Sequence, residues 1–155
     1  MYLRGEEFLK YIKICFPDYF FKKKVLDNGI LTNNIQNYFT NCEYYITDIT
    51  NDDNNDDNND NNLERNLLSA KDLSFANSYF DIILCIESLE YDPEWKNAII
   101  NINRMLKHNG LLLLIINEEF YNNNVTDNNK LTINKINKIL NWDKVINFLV
   151  HNYSI

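Results

Sequence analysis

"VLDNGILTNN", residues 25–34, reads as a short apolar strand that runs out into a ligand-cradling loop. Val25 and Leu26 supply the apolar run, Asp27 ends it in a carboxylate, and Gly29 follows one residue later. A backbone that must approach a ligand closely uses glycine, because the missing Cβ removes a steric barrier and opens positive φ. A nucleotide-binding loop carries further glycines at two-residue spacing. Leu31 and Asn33 stand in those places. The strand and the first glycine are therefore intact, and the remainder of the loop is altered.

Outward from this stretch, apolar runs alternate with amphipathic segments. Upstream, Leu3, Phe8, Leu9, Ile12 and Cys15 recur at helical spacing over residues 2–15, and Phe16-Pro17 stops them. Lys22-Lys23-Lys24 is a basic cluster that leads into the strand at 24–27. Downstream, residues 33–40 read as a short helix with Ile35, Tyr38 and Phe39 facing inward. "CEYYITDI", 42–49, is rich in aromatic and β-branched residues and reads as a strand over 43–48. A third strand is expected at 66–69, around Leu67-Leu68. "YFDIILCI", 79–86, is nearly all apolar, as expected of a strand buried on both faces. Trp95, Ala98, Ile99, Ile102, Met105 and Leu106 mark a helix over 94–107. A stop at Asn109-Gly110 and a second doubly buried strand at 111–116 follow. Two further helices are expected, one carrying Leu131, Ile133, Ile136, Ile139 and Leu140, the other Trp142, Val145, Ile146 and Leu149. Strands alternating with helices, the inner strands apolar throughout, imply an α/β fold with a mostly parallel sheet.

Composition narrows the function classes. A chain of 155 residues has the length of one domain, 1–155, and can bury an ordinary core without disulfides or metal. Asparagine fills 29 positions, the signature of an AT-rich genome. The formal net charge of −7 weighs against a general nucleic-acid-binding surface, which needs cations to displace counterions. Cys15, Cys42 and Cys85 have no paired spacing and no adjacent histidine, so they read as buried thiols of a reducing compartment, and no metal is expected. No apolar signal segment is visible and the longest apolar run, Leu111–Ile116, is too short to span a bilayer, so a cytoplasmic location is expected. "NDDNNDDNNDNN", 51–62, has nothing to bury and reads as a low-complexity surface loop. Calcium is the sharper alternative for its oxygens, but the glycine and glutamate of an EF-hand loop are missing.

The ordered set "KKVLDNG", "YYITDI", "SAKDLSFANSYFDIILCIESLEY" and "WKNAIININRMLKHNGLLLLI" resembles the class I S-adenosylmethionine-dependent methyltransferases, especially their small type 11 group, over roughly residues 20–117. The resemblance implies a Rossmann-like sheet ordered 3-2-1-4-5 and S-adenosylmethionine as cofactor. It implies Asp27 and Gly29 at the methionine end of the cofactor and Asp48, twenty-one residues beyond Asp27, on its ribose. In dinucleotide folds an acidic residue at about that distance accepts the ribose hydroxyls. Ser69 and Ala70 would flank the adenine. Asp72 reads as a solvated turn residue, and Phe75 and Tyr79 as core. Glu87 and Glu90 follow the fourth strand, where a carboxylate can accept a proton from a methyl acceptor; they also read as exposed acids opening the next helix. Tyr91 offers no base, and His108 and His151 are not credible catalytic groups.

The departures carry the competing readings. Leu31 would fill the space of the methionine moiety or force the loop outward, and the family's closing strand pair has no full counterpart here. A working methyltransferase of unknown acceptor accounts for Asp27, Gly29 and Asp48. A degenerate, inactive relative kept for binding or assembly accounts for the lost glycine. An unrelated nucleotide-binding α/β protein would leave the later motifs unexplained. The apolar "LLLLII" strand also needs its edge covered, either by "VHNYSI", 150–155, or by self-association.

Overall fold

Val25 and Leu26 are fully buried, yet they face opposite layers, because successive residues of a strand project to opposite sides of the sheet. That alternation organises the whole protein. The structure is a computed structural model and describes residues 3–29, 35–49, 66–67, 69–86, 88–117 and 145–153. Its elements are α1 (Leu3–Cys15), β1 (Lys24–Asp27), β2 (Glu43–Ile46), β3 (Asp48–Ile49), β4 (Asn66–Leu67), β5 (Phe80–Ile86), α2 (Trp95–Met105), β6 (Leu106–Asn117) and β7 (Val145–Tyr153), with short 3-10 turns at Pro17–Phe20, Ile35–Tyr38, Ala70–Asp72 and Leu89–Tyr91.

Five strands form one sheet in the order β2-β1-β5-β6-β7, and every pairing in it is parallel. Leu26, Ile83, Cys85, Leu112 and Leu114 pack on one face with Ala98, Ile99, Ile102 and Met105 of α2. Val25, Ile82, Leu84, Leu111 and Leu113 pack on the other with Leu9 and Ile12 of α1 and with Phe20, Ile35 and Phe39. Each fully buried aliphatic side chain contributes about 1.5–3 kcal/mol. The doubly covered strands β5 and β6 therefore form the energetic centre. This is the α/β architecture expected from the alternating runs, with the Rossmann-like sheet that the resemblance implies.

Several details differ from expectation. The strand expected at 66–69 is not in the main sheet: Asn66–Leu67 pairs antiparallel with Asp48–Ile49 in a separate two-stranded ladder. The expected order 3-2-1-4-5 is thus realised as 2-1-4-5, followed by the C-terminal strand β7. One reason lies in β2, whose residues are exposed or half-buried and whose Ile46 is 52% exposed. Such a strand presents an edge rather than an interior surface. The strand expected over 43–48 is also broken at Thr47, so Asp48 begins β3 instead of ending β2.

The largest correction is C-terminal. The segment holding Val145, Ile146 and Leu149 is not a helix but the nine-residue strand β7, parallel to β6 from Gly110↔Val145 to Asn117↔Tyr153. Short apolar runs satisfy both periodicities, and here the edge of β6 supplies the backbone partner that makes this one a strand. The chain itself covers the β6 edge: His151–Tyr153 pair with Ile115–Asn117. The helix expected at 131–140 and the tract at 51–62 lie outside the described residues.

Smaller differences concern ends. Helix α2 stops at Met105, four residues before Asn109, and residues 35–38 form a 3-10 turn. Cys85 is buried as expected, but Cys42 is half-buried and Cys15 exposed. Among the described residues no helix is long and apolar enough to cross a membrane.

Candidate functional site

The chain leaves β1 toward β2 on one side and returns to β5 on the other, so the strand order reverses between β1 and β5. Ligands of open parallel sheets bind beyond the carboxyl ends of the strands at such a point. Four connections meet this end of the protein: Asn28-Gly29 after β1, Thr47-Asp48 after β2, Ser69–Asp72 after β4 and Ser88–Asp92 after β5.

Two side-chain latches join them in pairs. Asn28 is 1% exposed, its N–H donates to the Leu84 carbonyl at 2.9 Å, and its Oδ1 accepts from Thr47 Oγ1 at 2.6 Å. Thr47 N–H donates in turn to the Asp27 carbonyl at 3.1 Å. Gly29 and Asp48 each follow one member of this latch, so their backbones leave the sheet side by side. The second latch runs from Ser69 Oγ, which donates to Asp92 Oδ2 at 2.6 Å. Asp92 Oδ1 also accepts the Glu94 N–H at 2.8 Å, which fixes the entry to α2.

Asp27 ends β1 and is fully buried. Its Oδ2 accepts a 2.5 Å hydrogen bond from the Tyr44 hydroxyl. Tyr44 pairs in register with Val25, two residues before Asp27 on the same face, and its long side chain covers that step. Burial raises the Tyr44 phenol well above its ordinary value, and the charge of Asp27 and the hydrogen bond to it add to the shift. The phenol is therefore a permanent donor to the carboxylate. Asp27 is thus held by Tyr44 where the chain leaves β1.

Ser69 and Ala70 are held as tightly. Ala70 is fully buried in the α2-side core. Asn101 Nδ2 donates to the carbonyls of Ala70 at 2.7 Å and Leu73 at 2.8 Å. Arg104 Nε donates to Asn101 Oδ1 at 2.7 Å, and its guanidinium reaches the Phe75 carbonyl at 2.7 Å. Lys71 forms an ion pair with Glu94. Segment 69–75 is therefore clamped to α2 at several points. Asp72 is exposed in its turn, and Phe75 and Tyr79 pack against the core, as expected.

The remaining expected residues divide cleanly. Gly29 is buried and does not use positive φ, so its value lies in space, not in backbone conformation. The Asp48 backbone lies at the crevice, paired with Leu67. Glu90 belongs to the 3-10 turn Leu89–Tyr91. The side chains of Asp48 and Glu90, and Glu87, Leu31 and Asn33 entirely, lie outside the described residues. Ser88, between the two glutamates, is fully buried, and its hydroxyl has no hydrogen-bond partner among the described residues. The sequence motifs do not mark Asn28, Tyr44, Thr47, Asp92, Asn101 or Arg104. The one signal for them was a polar Asn28 inside an otherwise buried stretch, which demands a partner.

The family model described as a methyltransferase domain matches residues 26–114, more than half of the chain and every element from β1 into β6. No curated protein and no solved structure matches the chain.

Proposed function

Since the chain belongs to a class I S-adenosylmethionine-dependent methyltransferase family, we propose that it binds S-adenosylmethionine at the carboxyl ends of β1 and β2 and transfers its methyl group to an acceptor. The observation that carries this reading is the Asn28–Thr47 latch, which sets Gly29 and Asp48 together at the sheet's reversal point. The donor set fits the cofactor in kind. A carboxylate at Asp48 suits ribose hydroxyls, Gly29 leaves room for the methionine end, and the clamped Ser69-Ala70 segment offers a fixed wall to the adenine. The buried hydroxyl of Ser88, without a hydrogen-bond partner among the described residues, adds a polar group at the same end of the sheet.

When bound, the cofactor supplies an electrophilic methyl group. The protein's part is then to place a nucleophile in line with it and to accept a proton. Glu87 and Glu90, after β5, are the proposed proton acceptors, and Asp27 positions the loop through Tyr44.

Two observations favour a second reading. The Asp27 carboxylate is fully buried and engaged by Tyr44, and Leu31 stands where a loop glycine is expected. Both are compatible with a fold that has kept its scaffold and lost turnover. Isothermal titration with S-adenosylmethionine and its demethylated product separates the two readings. The proposed function predicts binding of both ligands. It also predicts a loss on the order of 1.5–3 kcal/mol, tenfold or more in affinity, for Asp48→Ala. Absence of binding at millimolar ligand transfers the case to the degenerate reading.

A further inference from the structure

The opposite end of the sheet holds a cavity of about 360 Å³, lined by Asp18, Tyr19, Lys23, Asp81 and residues Lys107–Gly110. This is within the size range of small-molecule pockets. It lies at the amino ends of β1, β5 and β6, and the length of β5, Phe80–Ile86, places it roughly 20 Å from the cofactor crevice at about 3.3 Å per residue.

A local irregularity of the sheet builds it. Between the pairs Phe80↔Leu106 and Ile82↔Leu111, β5 advances two residues while β6 advances five. The excess is taken up in Lys107–Gly110, with Asn109 in the left-handed region at φ 63°. Bulges of this kind re-aim side chains, and this one turns a polar segment outward over the end of the sheet. The Tyr19 hydroxyl ties the two walls together by donating to the Asn109 carbonyl at 2.7 Å.

The charges in the lining do not all cancel within the protein. Asp81 is satisfied: Oδ1 accepts from Lys107 Nζ at 2.9 Å and Oδ2 from the Lys24 N–H at 2.9 Å. Burial alone would raise its carboxyl, but these donors outweigh burial and hold it below the usual range. Asp81 and Lys107 thus neutralise each other. Lys23, whose charge acts on Asp81 only from beyond ion-pair distance, and Asp18 remain, one of each sign, and among the described residues neither has an ion-pair partner.

We propose that this cavity binds a small zwitterion, its anionic group on Lys23 and its cationic group on Asp18. A purely anionic ligand would gain Lys23 but meet the Asp18 carboxylate, and a purely cationic one would face the reverse penalty. A ligand bearing both charges satisfies both walls. Lys23 of the basic cluster before β1 then acquires a role. The inference is independent of the methyltransferase reading.

Three probes of one carbon skeleton test it: 4-aminobutanoate, butanoate and butylammonium, titrated into the ¹⁵N-labelled full chain. The expected result is that 4-aminobutanoate shifts the amides of Asp18–Lys23 and Lys107–Gly110 with affinity about tenfold above either singly charged probe. Lys23→Met and Asp18→Asn should each remove that advantage while leaving the spectrum of the rest of the protein unchanged. Butanoate or butylammonium binding as well as 4-aminobutanoate overturns the proposal, as does the absence of shifts from all three at tens of millimolar. An advantage for 4-aminobutanoate that survives both substitutions overturns it too.

Discussion

Thr47 Oγ1 donates to Asn28 Oδ1 at 2.6 Å, and these two buried side chains tie the carboxyl end of β1 to that of β2. Neither residue has to touch a ligand to matter, because each is followed directly by one that the proposed site uses. Thr47→Val keeps the shape and removes the donor, leaving the Asn28 amide oxygen buried and unsatisfied. The expected cost is about 1–3 kcal/mol in urea denaturation. Cofactor affinity should fall as well, because Gly29 and Asp48 lose their common anchor. A variant as stable as wild type would show that the latch is incidental.

The Tyr44–Asp27 pair gives a pH signature. In the unfolded chain the phenol titrates near 10.0, whereas in the folded protein it stays protonated well above that. The folded-state pKa is raised, so the stabilisation is complete below pH 10 and is lost as pH rises. Above pH 10 the unfolded state releases a proton that the folded state keeps, and stability falls by about 1.4 kcal/mol per pH unit from this group. Tyr44→Phe should be less stable than wild type at pH 8, and the gap should narrow between pH 10 and 11.5. Parallel denaturation curves across that range would contradict the assignment.

Gly110 is required for space. A Cβ there would come within 2.6 Å of Leu106 Cγ and 2.9 Å of the Lys107 carbonyl oxygen. The leucine can turn, but the backbone oxygen cannot do so without moving the bulge. Gly110→Ala should destabilise by about 1–3 kcal/mol, as overpacking does. Thermal unfolding checks this, and an unchanged Tm would mean that the bulge relaxes freely.

Much of the fold could be read from single segments because single segments determine it. Phe80–Ile86 and Leu111–Ile115 are apolar at every or nearly every position, and only a doubly covered strand accommodates that. The residues 145–150 admit two periodicities, and the choice between them depends on an unpaired β6 edge far away in sequence. Leu67-Leu68 suggests a full strand, although two apolar residues give a sheet little surface to bury. For the site, Asp27, Gly29 and Asp48 were visible as residue types at a known spacing. The groups that hold them were not, since Tyr44 reaches Asp27, and Thr47 reaches Asn28, only through the β1–β2 register.

The β6 edge yields a prediction of its own. β7 is the strand that pairs with Gly110–Asn117, and removing it exposes a long apolar edge. A chain ending at Lys144 should self-associate in sedimentation, and in the full chain the amides of 147–153 should be protected from hydrogen exchange. Rapid exchange throughout 147–153 would show that β7 does not pair in solution.

The central claim, that the adenosyl group lies over the carboxyl ends of β1 and β2, is tested most directly by titrating ¹⁵N-labelled protein with S-adenosylhomocysteine. The account predicts amide shifts at Gly29, Thr47, Asp48 and Ser69–Asp72, and none at Asp18–Lys23 or Lys107–Gly110. Shifts confined to the amino end of the sheet, or no shifts at millimolar ligand, would contradict it.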